Sequence, residues 1–188
     1  IRPEGTDVSR SYSMANAPGV NRLEFFIRSV PGGAFSQWLA GAKVGDALEL
    51  SAPHGTFFLR DEDRPRLFVA GGTGVAPFLS MLRSMARQPT AQRTTFVIGA
   101  RTPGHLFAMD ELQSLGAQMQ GIDLRIAVEQ DAAQGCHAGY PTDLIHQLGL
   151  DPATRVYLCG PPPMVEAGRK AAEAAGLPRA DVLCERFT

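Results

Sequence analysis

From residue 63 onward the chain alternates short apolar runs with helical patterns, and this alternation restricts its fold more than any other feature. The runs are "LFVAG", "TTFVIGA", "LRIAVE", "RVYLCG" and "ADVLC". The helical patterns between them cover roughly 76–87, 108–119, 142–148 and 164–175. Strands separated by helices cannot pair as hairpins; they pair in parallel, with the helices covering both faces. The prediction is a doubly wound α/β domain with a five-stranded parallel sheet and right-handed crossovers. Ligands of such a sheet sit beyond the carboxyl ends of its strands, where the strand order reverses.

Residues 1 to about 60 have another rhythm. "RSYSMA", "RLEFFIRSV" and "DALELSAP" carry β-formers in partial alternation, punctuated by "PEG", "APG", "PGG" and "PHG". That pattern predicts a small antiparallel β-barrel or sandwich. A short helix is expected at "GAFSQWLAG", capped by Ser36, with Phe35, Trp38 and Leu39 facing inward. The charged stretch "RDEDRPR" reads as a linker, dividing the chain into 1–62 and 63–188.

Composition removes several function classes. Lys plus Arg number 18 against 19 Asp plus Glu, with no basic block to follow a nucleic-acid backbone. The longest uncharged run, "LFVAGGTGVAPFLSML", is shorter than the ~20 residues of a membrane span and is broken by glycine and proline. Three widely spaced cysteines, 136, 159 and 184, form neither a disulfide framework nor a zinc ribbon and fit a reducing cytoplasm. "CH" at 136–137 offers two metal ligands where zinc needs three or four. No signal peptide precedes "IRPEG", and the missing start methionine reads as a fragment of a longer chain.

Two motifs carry chemistry. "LFVAGGTGVAPFL" passes from a strand through Gly71, Gly72, Thr73 and Gly74 into a helix with Pro77 in its first turn. Bare amides at a helix N-terminus attract an anion such as a pyrophosphate; the alternative is a tight turn capped by Thr73. "YLCGPPPM" ends the fourth run in a thiol, Cys159, then a glycine and three prolines that forbid its continuation. With the first and fourth strands neighbours at the switch point, Cys159 would lie at the mouth of the crevice that holds Gly72 to Gly74. It could equally be a core cysteine at a strand end.

Together "RSYSMA", "GGAFSQWL", "GTFFLR", "AGGTGVAPFLSML", "YLCGPPPMVEA" and the terminal "CERF" resemble, in that order, the ferredoxin–NADP reductase superfamily. The likeness is to the NADH-dependent reductase components of bacterial ring-hydroxylating dioxygenases, of benzoate or anthranilate type, over essentially the whole chain. The resemblance implies FAD on the first half: Arg10 on its pyrophosphate, Tyr12 against the isoalloxazine and Ser13 near flavin N5. Ile27, Arg28, Gly33, Phe35 and Ser36 would be further FAD contacts. Phe187 would cover the flavin face, although Thr188 follows it. Phe35 and Trp38 equally suit a core, Arg28 a solvated strand, and "RSYSM" an ordinary alternating strand. In the second half Gly72, Thr73 and Gly74 would hold the NAD pyrophosphate. Cys159, Gly160, Pro161 and Met164 would border the nicotinamide, with Cys159 positioning rather than attacking. Ser13, Cys159 and Glu185 form the implied catalytic set.

Acidic residues favour the ribose diol of NADH over the 2′-phosphate of NADPH. Glu129 and Asp131 follow the third run, where NADPH enzymes of the family typically have a serine and an arginine; Arg101 and Thr102 follow the second. NADH is therefore the expected donor. The resemblance further implies that FAD passes electrons singly to a [2Fe–2S] cluster and a terminal oxygenase in aromatic catabolism. The chain itself lacks the C-x₄-C-x₂-C spacing of such a cluster, placing it in a domain outside this segment. The first barrel strands are likewise expected before Ile1. Rival readings are an NAD(P)H-dependent reductase of free flavin, ferric or haem acceptors, and a non-catalytic nucleotide-binding module.

Overall fold

In a computed structural model that describes residues 1–51, 53–88, 92–119 and 121–187, the second half is the predicted doubly wound domain. The first half contains β1 (Arg2–Pro3), α1 (Ala34–Gly41) and β2 (Leu48–Glu49). Then follow β3 (Arg66–Gly71), α2 (Val75–Arg87), β4 (Thr94–Ala100), α3 (Met109–Gln118) and β5 (Ile122–Val128). The chain closes with β6 (His137–Ala138), β7 (Arg155–Gly160), α4 (Pro162–Ala174) and β8 (Val182–Arg186).

The parallel sheet has the order β6-β5-β4-β3-β7-β8, so the order reverses between β3 and β7. It has six strands rather than five. The extra β6 pairs only Ala127 with His137 and Val128 with Ala138, and two residues carry no readable periodicity. Period-2 alternation explains why both faces are apolar. Phe68, Ala70, Phe96, Ile98, Tyr157 and Cys159 face α2 and α3. Leu67, Val69, Val97, Val156 and Leu158 face α4 and a 3₁₀ turn at Pro141–Gln147. Each such fully buried Phe or Leu contributes roughly 1.5–3 kcal/mol. The helix expected over 142–148 is that 3₁₀ turn, because Pro141 starts it pressed against Gly99 and the Asp143 carboxylate accepts the Tyr140 N–H.

The first half is the expected small antiparallel unit, with shorter ladders than its residue pattern predicts. Its pairing is antiparallel, but β1 with β2 and a single Met14–Phe25 bridge are its only ladders among the described residues. A strand needs a partner along its edge, and "RLEFFIRSV" meets one only at Glu24 and Phe25. Leu23, Val30, Leu48 and Leu50 are accordingly exposed. Ser36 does not cap α1: Gly33 holds the N-cap position, and the Ser36 hydroxyl inside the helix accepts the Val30 N–H at 2.9 Å. Phe35 is buried and Trp38 half-buried as the face predicts, but Leu39 is exposed.

The charged linker is pinned rather than loose. Arg64 pairs with Asp181 at 2.8 Å, and Arg155 pairs with Glu62 at 2.8 Å and Asp181 at 3.0 Å. The Tyr157 hydroxyl accepts the Arg60 N–H at 3.1 Å. Among the described residues no helix is long and apolar enough to cross a membrane.

Candidate active site

The carboxyl ends of β3, β7 and β8 meet where glycine removes side chains. A Cβ on Gly74 would stand 2.2 Å from the Cys159 carbonyl oxygen, and one on Gly71 would stand 2.5 Å from the Met164 sulfur. Gly74, facing backbone, therefore requires glycine, whereas at Gly71 the Met164 side chain would have to shift: the turn after β3 lies directly on the end of β7. Gly72 has φ +55° and faces open space, the approach a ligand backbone contact needs. No side chain caps α2; Gly74 is its N-cap residue and Thr73 lies in a preceding 3₁₀ turn. Thr73 is thus not the ordinary N-cap of the alternative reading. Pro77 sits in the first turn of α2.

Cys159 is paired with Ala70 on one side and Glu185 on the other. Its side chain is fully buried in the cluster beneath α2, not at the crevice mouth. Burial pushes the thiol pKa far up, and the Glu185 charge adds to it, so the group is a neutral thiol. Gly160 follows with φ +154°, and its carbonyl accepts the Phe187 N–H at 3.0 Å. Pro161 is exposed at the N-cap of α4, while Met164, on the first turn, is half-buried against Gly71 and Gly160.

A side-chain hydrogen bond joins the first half to this point. The Ser13 hydroxyl donates a hydrogen bond to the Glu185 carboxylate. Tyr12 is half-buried, its ring 5.2 Å from that of Phe35, and Phe35 lies 5.8 Å from Trp38. Desolvation raises the Tyr12 pKa. Arg10 is exposed, and its guanidinium donates to its neighbour's carbonyl, Ser9 O, at 2.7 Å. Arg28 is also exposed, and Ile27 beside it is half-buried. Gly33 caps α1 and donates to Val30 O at 2.9 Å. Phe187 is half-buried against the same core cluster as Cys159.

Arg101 and Glu129 stand exposed just past the ends of β4 and β5. Their loops are neighbours, with Glu129 N donating to Ala100 O at 3.1 Å and Gln130 N to Arg101 O at 2.9 Å. Asp131 is exposed with φ +56°. Ser13, Glu185, Cys159, Gly160, Phe187 and the glycine turn are thus brought together. Arg101 and Glu129 form a second group two strands along, while Arg28 and Gly33 lie in the first half. Sequence reasoning did not assign a role to Gly71, though its place in "GGTG" was a usable signal.

The residues match two family models: an oxidoreductase FAD-binding domain over 1–59 and an oxidoreductase NAD-binding domain over 68–170. The chain is 36% identical to the toluate 1,2-dioxygenase electron transfer component of Pseudomonas putida, covering 100% of this chain and 56% of that protein. It is 39% identical to the propane 2-monooxygenase reductase component of Mycolicibacterium smegmatis, covering 98% and 56% respectively. It thus spans about half the length of these relatives. Among solved structures, a cytochrome P450 reductase from Amycolatopsis superposes with a TM-score of 0.90 at 28% identity, covering 100% of this chain and 59% of that one. The ferredoxin reductase in carbazole 1,9a-dioxygenase gives 0.83 at 29% identity, covering 99% and 57%. The chain belongs to the ferredoxin–NADP reductase-like oxidoreductases, in which an FAD-binding domain is followed by an NAD-binding domain.

Proposed function

We propose that this chain is the flavin- and nucleotide-binding part of a cytoplasmic reductase that takes electrons from NADH for a multicomponent oxygenase. FAD, when bound, accepts two electrons together from NADH and releases them singly, as an iron–sulfur acceptor requires. That acceptor, a [2Fe–2S] domain or ferredoxin serving a terminal oxygenase, lies outside this chain. The reading takes 1–62 as the flavin part and 63–188 as the nucleotide part, in keeping with the matched spans 1–59 and 68–170.

The observation that carries the proposal is the Ser13–Glu185 hydrogen bond, which sets the RxYS segment against the strand end next to Cys159 and Gly160. A flavin held by the first half and a nicotinamide held by the second must abut there. The residues fit both groups. A Cβ at Gly74 would collide with the β7 backbone and one at Gly71 would press on Met164, while Gly72 faces open space that suits a pyrophosphate. Arg10 and Arg28 are exposed cations, neither paired with a carboxylate among the described residues, and suit the FAD pyrophosphate.

In this reading Tyr12 and Phe187 border the isoalloxazine, with Ile27, Phe35 and the Gly33–Ser36 turn supporting the flavin's other parts. Ser13 holds a hydroxyl proton shared with Glu185 near flavin N5. Gly160, Pro161 and Met164 border the nicotinamide, and buried Cys159 shapes that wall without acting as a nucleophile. Glu129 repels a 2′-phosphate, with Arg101 contacting the adenosine end.

The test is anaerobic mixing of the FAD-reconstituted protein with NADH and, separately, NADPH, following the visible flavin band. Fast bleaching by NADH is expected, with NADPH much slower. Absence of bleaching by either nucleotide would overturn the proposal.

A further inference from the structure

The apolar side of α2 lies on the sheet, and its remaining side carries Ser80, Arg83 and Arg87, spaced i, i+3, i+7 on one face. All three donate to backbone carbonyls of one short segment of the first half. Ser80 Oγ donates to Asn16 O at 2.7 Å, Arg83 Nη1 to Ala15 O at 2.8 Å, and Arg87 Nη1 to Pro18 O at 3.0 Å. Arg83 also donates to Glu24 at 2.9 Å and, through two parallel bonds of 2.7 and 2.8 Å, to Glu111 on α3. The gripped segment is itself stiff. Ala15 and Ala17 are buried, Ala15 N donates to Glu24 O at 2.8 Å, and the Asn16 side chain accepts the Glu24 N–H at 3.0 Å.

Both ends of this latch lead to the active site. The segment Ala15–Pro18 begins two residues after Ser13, and the N-terminus of α2 is the glycine turn at Gly72–Gly74. A helix rises 1.5 Å per residue, so Arg83 stands about 13 Å along α2 from the glycine turn, on the same continuous element. We propose that Ser80, Arg83 and Arg87 are positioning residues that set the distance between flavin and nicotinamide, with Arg83 as the main member. The latch acts only through the segments it joins. Its bidentate grip on Glu111 fixes the guanidinium plane, which a point-charge lysine reproduces only in part.

The inference rests on the hydride-transfer reading above, and the experiment separates the two. The FAD-reconstituted wild type, Arg83→Met, Arg83→Lys and the double variant Ser80→Ala/Arg87→Ala are mixed anaerobically with NADH over a range of concentrations. Each run resolves the NADH dissociation constant, the limiting rate of flavin bleaching and the long-wavelength charge-transfer absorbance of stacked nicotinamide and flavin. In Arg83→Met the limiting rate is expected to fall about tenfold to hundredfold, the scale of a misplacement near 1 Å. The dissociation constant stays within about twofold and the charge-transfer band weakens, while Arg83→Lys restores part of both. The double variant keeps Arg83 folded in place and shows the same split at smaller amplitude, so loss of Arg83→Met to misfolding leaves the test intact. Wild-type rate and band in the double variant, or a change confined to the dissociation constant in any folded variant, overturns the latch. A wild type that NADH does not bleach overturns instead the hydride-transfer reading.

Discussion

The Ser13 hydroxyl donates to the Glu185 carboxylate across a sequence separation of 172 residues. It is the point at which the arginine–tyrosine–serine segment touches the last strand of the parallel sheet, one strand away from Cys159 in register. In the proposed reading this hydrogen bond sits where the two cofactor sites meet. A charge-assisted bond of this kind is short and directional, so each partner orients the other.

Ser13→Ala leaves the Glu185 carboxylate without its donor. Flavin bleaching by NADH is expected to slow by about a hundredfold, the lower end of what one positioned proton donor contributes. FAD content stays near one per chain. Glu185→Gln, which keeps the acceptor and removes the charge, should slow it less. Stopped-flow reduction of the three proteins decides; equal rates in Ser13→Ala and wild type would remove the serine from the mechanism.

The glycine cradle gives a pair of contrasting substitutions. Gly74→Ala puts a methyl 2.2 Å from a backbone oxygen that cannot step aside, and is expected to cost about 1–3 kcal/mol. Gly72→Ala meets no atom within 4 Å and costs only left-handed strain, about 1–2 kcal/mol. Urea unfolding orders the two, and NADH affinity should fall in both: Gly74→Ala distorts the turn, and Gly72→Ala puts a methyl into the open space proposed for the pyrophosphate. A Gly74→Ala protein as stable as wild type would contradict the close contact of β3 and β7.

The raised thiol pKa of Cys159 has a consequence for stability against pH. Its folded pKa lies above the unfolded one, so the stability it contributes is complete below about pH 8.5, the free thiol value. Above that the unfolded chain loses the proton and the folded chain keeps it, so stability declines by at most about 1.4 kcal/mol per pH unit. Urea midpoints from pH 7 to 10 should therefore drop more steeply in wild type than in Cys159→Ala. In the folded protein iodoacetamide is expected to label Cys136 and spare Cys159; peptide mass mapping showing Cys159 modified first would contradict the burial.

Nucleotide preference should respond to Glu129. It is exposed past β5, beside the loop of Arg101. Removing one like charge from near a 2′-phosphate is worth about 1 kcal/mol at contact in water, so Glu129→Ala should raise kcat/KM for NADPH about fivefold. The value for NADH should change little. Steady-state kinetics with both nucleotides at low salt tests it, and an unchanged ratio would move the discrimination to other residues.

The predicted parallel strands were legible because each is buried on both faces, which writes a continuous apolar run into the residues themselves. Phe68 and Leu67 are equally apolar although they face opposite clusters. The glycine turn was legible for a similarly local reason, since a chain that must pass within contact of a strand end tolerates no side chain there. The strands of the first half were overread: "RLEFFIRSV" has the residue types of a strand, but pairing is a property of two segments, and only Glu24 and Phe25 find a partner. "RDEDRPR" has the composition of a solvated linker, yet Arg64, Glu62 and Arg60 are fixed by Asp181, Arg155 and Tyr157, about a hundred residues away in sequence.

By itself the sequence determined the five main parallel strands, their alternation with helices, the glycine turn and the family, because these depend on periodicity and on residue types at short spacing. Only the tertiary structure decided where Cys159 points, that Ser13 meets Glu185, and that one face of α2 grips the segment after Ser13. Those are contacts between segments far apart in the chain, and they are set by which surfaces pack together, which no local pattern encodes.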